Sequence, residues 1–260
     1  MAGGAHLSAP GGQARGRLAL VTGGTGGIGT EICRQLARSG HRVVATFLAP
    51  EAELARAWQQ ERCAEGHEVA LVECDVTSFE SCARMAAELE TSSRGVEILV
   101  NCAGITRDRT LAKMDLSQWQ AVLDTNLNGV FNVTRQVVEG MIQRHFGRIV
   151  SISSVNGQKG QFGQTNYSAA KAALFGFTRA LALEVAADGI TVNTVSPGYV
   201  QTGMIGAIPP QILAQIVEKI PVGRLAEPRE IAWAVGFLVA EESGYITGAN
   251  LPVNGGLFMG

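Results

Sequence analysis

Leu18-Ala19-Leu20-Val21-Thr22-Gly23-Gly24-Thr25-Gly26-Gly27-Ile28-Gly29 passes within twelve residues from an apolar run into five glycines. The run LALVT has strand length and no polar alternation, which fits a strand buried on both faces. Ile28, Ile32, Leu36 and Ala37 then recur at helical spacing through residues 27–39, and Gly40 ends the helix. Glycines between a strand and a helix let the backbone turn tightly and approach a pyrophosphate. The first N–H groups of the helix and its partial positive charge face the same point. Gly29 allows the helix to pack close against the strand. A glycine-rich turn by itself needs no ligand, but this placement makes it a dinucleotide-binding motif. Thr22, Gly23, Gly24, Thr25, Gly27, Ile28 and Gly29 are its candidate contacts.

Outward from this turn, short apolar runs alternate with amphipathic stretches. Strands are expected at 42–47, 68–73, 96–100, 148–153, 190–196 and 249–253, with helices at 51–65, 78–91, 117–145, 166–187 and 228–240. The alternation predicts an α/β chain: a single-domain Rossmann fold, a doubly wound parallel sheet of about seven strands with helices on both faces. No repeat or linker divides it. Residues 199–225 interrupt the alternation with Pro209, Pro210 and Pro221, an insertion expected to cover the substrate at the carboxyl ends of the strands.

Composition narrows the function. Hydrophobic residues make up 46% of the 260, ample for one large core. Lys plus Arg is 21 against Asp plus Glu 23, a net charge of −2 that gives no case for nucleic acid or an anionic membrane. No apolar run reaches the roughly 18 residues that span a bilayer. Residues 1–16 are rich in Gly and Ala without a signal pattern, and read as a disordered leader before a domain over 17–260. The five cysteines, an odd number without C-x-x-C spacing, read as buried free thiols of a cytoplasmic protein, with no metal site.

Tyr167-Ser168-Ala169-Ala170-Lys171 places a phenol and an ammonium one helical turn apart on one face. A cation within about 4–6 Å favours the phenolate and is expected to lower the phenol's pKa, making Tyr167 a general acid for reduction and a base for oxidation. Two hydroxyls, Ser153 and Ser154, end the strand at 148–153, where one of them would stand beside Tyr167. Asn126 lies within the long helical stretch, where Asn is unfavoured.

Together these motifs resemble the short-chain dehydrogenase/reductase family over nearly the whole chain. The spacing T-G-x-x-x-G-x-G is that family's form of the turn. Asn101-Cys102-Ala103-Gly104 matches its N-A-G element, Asp75-Val76 its adenine contact, and Pro197-Gly198 with Thr202 its P-G-x-x-x-T at the nicotinamide end. The resemblance implies Asn126, Ser154, Tyr167 and Lys171 as the catalytic set. It selects Ser154 over Ser153, gives Lys171 a hydrogen bond to the nicotinamide ribose, and has Asn126 hold a water that links Lys171 to solvent. It implies NAD(H) or NADP(H) as cofactor and pairing of the helices at 117–145 and 166–187 in a homotetramer.

Residues 157–166 lie between Ser154 and Tyr167 and therefore line the substrate mouth. Gln161 and Gln164 offer neutral amides and Phe162 an apolar wall, a lining suited to a β-keto thioester with amides in its tail. Residues 101–108, 153–167, 191–199 and 253–260 are similar to the branch of the family that reduces acetoacetyl-CoA and other short 3-oxoacyl-CoA thioesters. That likeness implies acyl-CoA contacts from Gln161, Phe162, Gln164 and Tyr199. A neighbouring branch reduces 3-oxoacyl groups on a carrier protein, but Asp188 stands where basic docking residues are expected. A dinucleotide sensor without turnover is a remote alternative, since Tyr167 and Lys171 are both present.

The adenosine 2′-phosphate of NADP(H) needs a cation. Gly26 stands where many NADPH members carry Arg, and Glu51 and Glu53 precede Arg56 after the second strand. Thr46 and Phe47 occupy the place of the Asp found in NAD-specific members. Use of both cofactors with a preference for NADH is expected.

Overall fold

The computed structural model describes residues 16–92, 95–203 and 210–260. The leader therefore falls almost wholly outside the described residues, as do 204–209 of the insertion. Seven parallel strands form one sheet: β1 (Leu18–Thr22), β2 (Arg42–Phe47), β3 (Val69–Glu73), β4 (Ile98–Asn101), β5 (Gly147–Ile152), β6 (Ile190–Pro197) and β7 (Asn250–Val253). Their order is β3-β2-β1-β4-β5-β6-β7.

Every residue of β1 is buried. Successive side chains of a strand point to opposite faces. Ala19 and Val21 enter one core with Ile32 and Leu36 of α1 (Gly27–Arg38) and Ile231, Val235 and Leu238 of α9 (Pro228–Val239). Leu18 and Leu20 enter the other, with Met85 of α3 (Phe79–Ser92), Val133, Val137 and Met141 of α5 (Gly129–Arg144), and Val185 of α7 (Thr165–Val185). Helices on both faces are why the strands read as unbroken apolar runs. Chain direction across the sheet reverses between β1 and β4, which opens a crevice at their carboxyl ends.

The helix expected at 117–145 is two helices. α4 (Leu116–Leu123) and α5 are joined by a π-helical turn at Asp124–Asn128. The wide turn carries Asn126 inward, where it is fully buried: Nδ2 donates to the Ile105 carbonyl at 2.8 Å and Oδ1 accepts from the Ile105 N–H at 2.9 Å. Two short helices add to the expected set. α6 (Val155–Lys159) follows β5, and α8 (Pro210–Glu218) lies within the insertion. α2 (Ala52–Ala64) follows a 3₁₀ turn over Ala49–Glu51. Cys33, Cys74 and Cys82 are buried and Cys102 is partly so, whereas Cys63 is exposed on α2, against the expectation of burial.

Candidate active site

The glycine turn is built by close backbone approach. Gly23 has φ +62°, and a Cβ there would lie 2.9 Å from Ala103 Cα. A Cβ on Gly29 would lie 2.2 Å from the Gly23 carbonyl oxygen. Thr22 Oγ1 accepts from the N–H groups of Cys102 and Ala103 at 3.0 and 3.2 Å, stitching β1 to the loop after β4. Thr46 Oγ1, buried, accepts from the Gly23 N–H at 3.1 Å. No side chain caps the start of α1, so its first N–H groups face the crevice without an internal partner. Thr202 packs against the same turn, its Cγ2 lying 3.0 Å from where a Gly27 Cβ would stand.

Other expected cofactor contacts stand on the same edge. Asp75 follows β3, and its Oδ1 accepts from the Thr77 N–H and hydroxyl at 2.9 and 2.8 Å. The carbonyl of buried Val76 accepts from Asn132 Nδ2 at 2.9 Å. Asn101 ends β4, with Nδ2 donating to Thr134 and Ser151 hydroxyls at 3.2 and 3.3 Å and Oδ1 buried without a partner. Pro197 ends β6, and Gly198 lies against Asn254, whose Cα is 2.9 Å from a Gly198 Cβ position.

Ser154, Tyr167 and Lys171 converge on this crevice from β5 and α7. Ser153 turns away, its hydroxyl donating to the Lys171 carbonyl at 2.8 Å. Ser154 Oγ accepts from the Asn156 N–H at 3.1 Å and acts on the Tyr167 phenol, pulling its pKa down. Lys171 Nζ is buried, donates to the Ile152 carbonyl at 2.7 Å and lies 5.7 Å from the centre of the Tyr167 ring. Gly157 lets α6 approach α7 here, since a Cβ would meet Lys171 and Ala172 backbone at 2.9 Å. Gly104 does the same for Asn126: its Cβ position is 2.7 Å from Asn126 Oδ1 and 3.5 Å from Lys171 Nζ.

Electrostatics here correct the sequence reading. Burial lowers the Lys171 pKa to about 8. Burial also raises Tyr167 above the usual phenol value, with hydrogen bonding to Ser154 opposing it and the Asp108 and Cys102 charges adding to it. Desolvation sets the direction, contrary to the lowering expected from the lysine, which does not figure among the causes of the shift. A phenol held up in this way stays protonated at neutral pH, as a proton donor must.

The segment before Tyr167 carries a network that spacing did not reveal. Gln164 Nε2 donates to Asp108 Oδ2 at 2.8 Å, and its Oε1 accepts from Asn156 Nδ2 at 3.0 Å. Asp108 also acts electrostatically on Tyr199, whose pKa is raised chiefly by burial. Asn166, fully buried, donates to the carbonyls of Arg107 and Gln118 at 3.0 and 3.2 Å. Gln161 Oε1 accepts from Lys159 at 3.2 Å, and Phe162 is 87% exposed. Tyr199 lines a cavity of about 170 Å³ with Ile220, Val222 and the Arg224–Glu230 ion pair. Among these, Asp108 and Asn156 were missed because their partners are distant in sequence or carry no motif.

A family model described as "Enoyl-(Acyl carrier protein) reductase" matches residues 23–258. The chain belongs to the short-chain dehydrogenase/reductase family. It is an NAD(P)-dependent oxidoreductase. An acetoacetyl-CoA reductase of Allochromatium vinosum is 58% identical over 94% of this chain and 99% of its own length. One from Cupriavidus necator is 52% identical over the same shares. A 3-oxoacyl-[acyl-carrier-protein] reductase of Vibrio cholerae is 43% identical over 94% of this chain and 98% of its own length. Among the described residues no helix is long and apolar enough to cross a membrane, and no group of three or more His, Cys, Asp or Glu is arranged to hold a metal.

Proposed function

We propose that this short-chain dehydrogenase/reductase reduces acetoacetyl-CoA and other short 3-oxoacyl-CoA thioesters to (R)-3-hydroxyacyl-CoA, the monomer supply for polyhydroxybutyrate. The full-length similarity to two acetoacetyl-CoA reductases carries the substrate class. The glycine cradle and uncapped α1 fit a dinucleotide pyrophosphate, with Thr22–Gly29, Asp75, Val76, Asn101, Ala103, Gly104, Pro197, Gly198 and Thr202 as its surroundings. When bound, the reduced nicotinamide supplies the hydride. Ser154 donates a hydrogen bond to the substrate carbonyl oxygen, and Tyr167 gives its phenolic proton to the alkoxide that forms. Lys171 binds the ribose and restores the phenol's charge balance. Asn126 holds Gly104–Ile105 beside Lys171. Gln161, Phe162, Gln164 and Tyr199 line the thioester arm, with the described parts of the insertion, 199–203 and 210–225, beside it.

Exposed Glu51 and Glu53 stand before Arg56, which lies on α2, and Thr46 is committed to Gly23. These features favour use of both cofactors with a preference for NADH, in a cytoplasmic homotetramer. The test is kcat/KM for acetoacetyl-CoA and for an acetoacetyl carrier-protein thioester, each with NADH and NADPH. Preference for coenzyme A and for NADH is expected. Preference for the carrier protein would overturn the substrate, and tenfold or greater preference for NADPH the cofactor reading.

A further inference from the structure

Two segments close one side of the substrate mouth. The loop at 107–115 runs along 159–166, held by Arg109 N–H to the Gly163 carbonyl at 2.8 Å, by a parallel bridge between Arg109 and Gln164, and by Gln164 to Asp108. Gly163 takes up this turn with φ +79°, a conformation that favours glycine. Asn166 and Thr165 fasten the same loop through Arg107 and Met114. This rim borders the reacting groups, since Asn166, which holds the Arg107 carbonyl, also accepts from the Tyr167 N–H at 2.8 Å.

The rim carries four exposed cations, Arg107, Arg109, Lys113 and Lys159, against two carboxylates, Asp108 and Asp115. It is therefore basic on a chain whose formal net charge is −2. Both carboxylates are engaged. Asp108 accepts from Gln164, and Asp115 caps α4 through the Gln118 N–H at 3.0 Å and accepts from the Ser117 hydroxyl at 2.8 Å. Two of these cations have their backbones pinned to the mouth, Arg107 through its carbonyl and Arg109 through its N–H, and Arg109 alone pairs along 163–164, so its guanidinium is presented from a fixed base. Coenzyme A carries a pyrophosphate and a 3′-phosphate at the end of a long amide arm. A thioester carbonyl beside Ser154 and Tyr167 leaves that anionic end to lie outside the mouth. Arginine suits phosphate through its planar fork of donors.

We propose that this rim, anchored by Arg109, binds the phosphate end of the coenzyme A moiety and so sets the preference for coenzyme A thioesters. The inference rests on the acyl-CoA reading above. Arg109→Gln should raise KM for acetoacetyl-CoA about fivefold, and Arg109→Glu more than tenfold, with kcat within about twofold; one exposed charge contact is of that size. KM for acetoacetyl-pantetheine, which lacks the nucleotide, should not move. The salt dependence of KM for acetoacetyl-CoA should flatten in both variants. Equal effects on the two thioesters, or none on either, would overturn the assignment. A second arm does not depend on turnover: calorimetric binding of free coenzyme A to NADH-saturated enzyme. Weaker binding to Arg109→Glu than to wild type supports the rim even if acetoacetyl-CoA is not reduced, in which case only the substrate reading falls. Unchanged coenzyme A binding, or a loss confined to a carrier-protein thioester, overturns it.

Discussion

Lys171 stands in an environment that costs the fold stability. Its folded pKa of about 8 lies below the usual 10.5. The unfolded chain therefore binds more protons than the native one between these values, and stability rises with pH through that window. Below about pH 8 the full penalty applies, about 3 kcal/mol at 1.36 kcal/mol per unit. Lys171→Met removes it. The wild type should gain about 2 kcal/mol relative to Lys171→Met between pH 7 and pH 9.5, measured by urea unfolding at both pH values. A constant difference between the two proteins would show that the amine is not buried as described. The Y-x-x-x-K spacing made the phenol and ammonium legible in the sequence, because a helix fixes which residues share a face. The direction of the Tyr167 shift was not legible, because burial is a property of the assembled layers. Asp108 was hidden for a similar reason: its partner Gln164 lies 56 residues away.

Among the elements, the strands and most helices could be read from the apolar runs, whose period reflects burial on one face or two. The π turn could not. Apolar residues continue at helical spacing on both sides of Asn126, and its partner Ile105 is 21 residues distant. Asn126→Ala would leave the Ile105 N–H and C=O, partly buried beneath the turn, without their side-chain partners. A loss of about 1–3 kcal/mol in unfolding free energy is expected, less than the full penalty of two buried unsatisfied groups because water reaches the partly buried backbone. Faster exchange of the Ile105 amide should accompany it. Stability within 0.5 kcal/mol of wild type, with the amide still protected, would contradict this description of the turn. Glycine is likewise specific to its element: Gly29→Ala puts a Cβ into the Gly23 carbonyl, and should weaken cofactor binding by forcing α1 off β1.

For the molecule as a whole, apolar surface remains on helices beyond what the two cores use. Phe79 and Phe131 stack with centroids 6.4 Å apart while 45% and 50% exposed, and Leu183 on α7 is 87% exposed. Such patches mark surfaces that associate. These positions on α3, α5 and α7 agree with the proposed pairing of long helices in a homotetramer. Light scattering at micromolar concentration should give four times the chain's 27.4 kDa, and a monomeric mass would contradict it. The catalytic assignment depends on the sheet, the glycine turn and α7 being assembled together, and single-turnover kinetics tests it most directly. Wild type and Tyr167→Phe are each saturated with reduced cofactor, mixed with acetoacetyl-CoA, and followed by the loss of nicotinamide absorbance. The phenol's role predicts a fall of about 10²–10⁴ in the single-turnover rate, with cofactor affinity nearly unchanged. A Tyr167→Phe rate above one-tenth of wild type would contradict it.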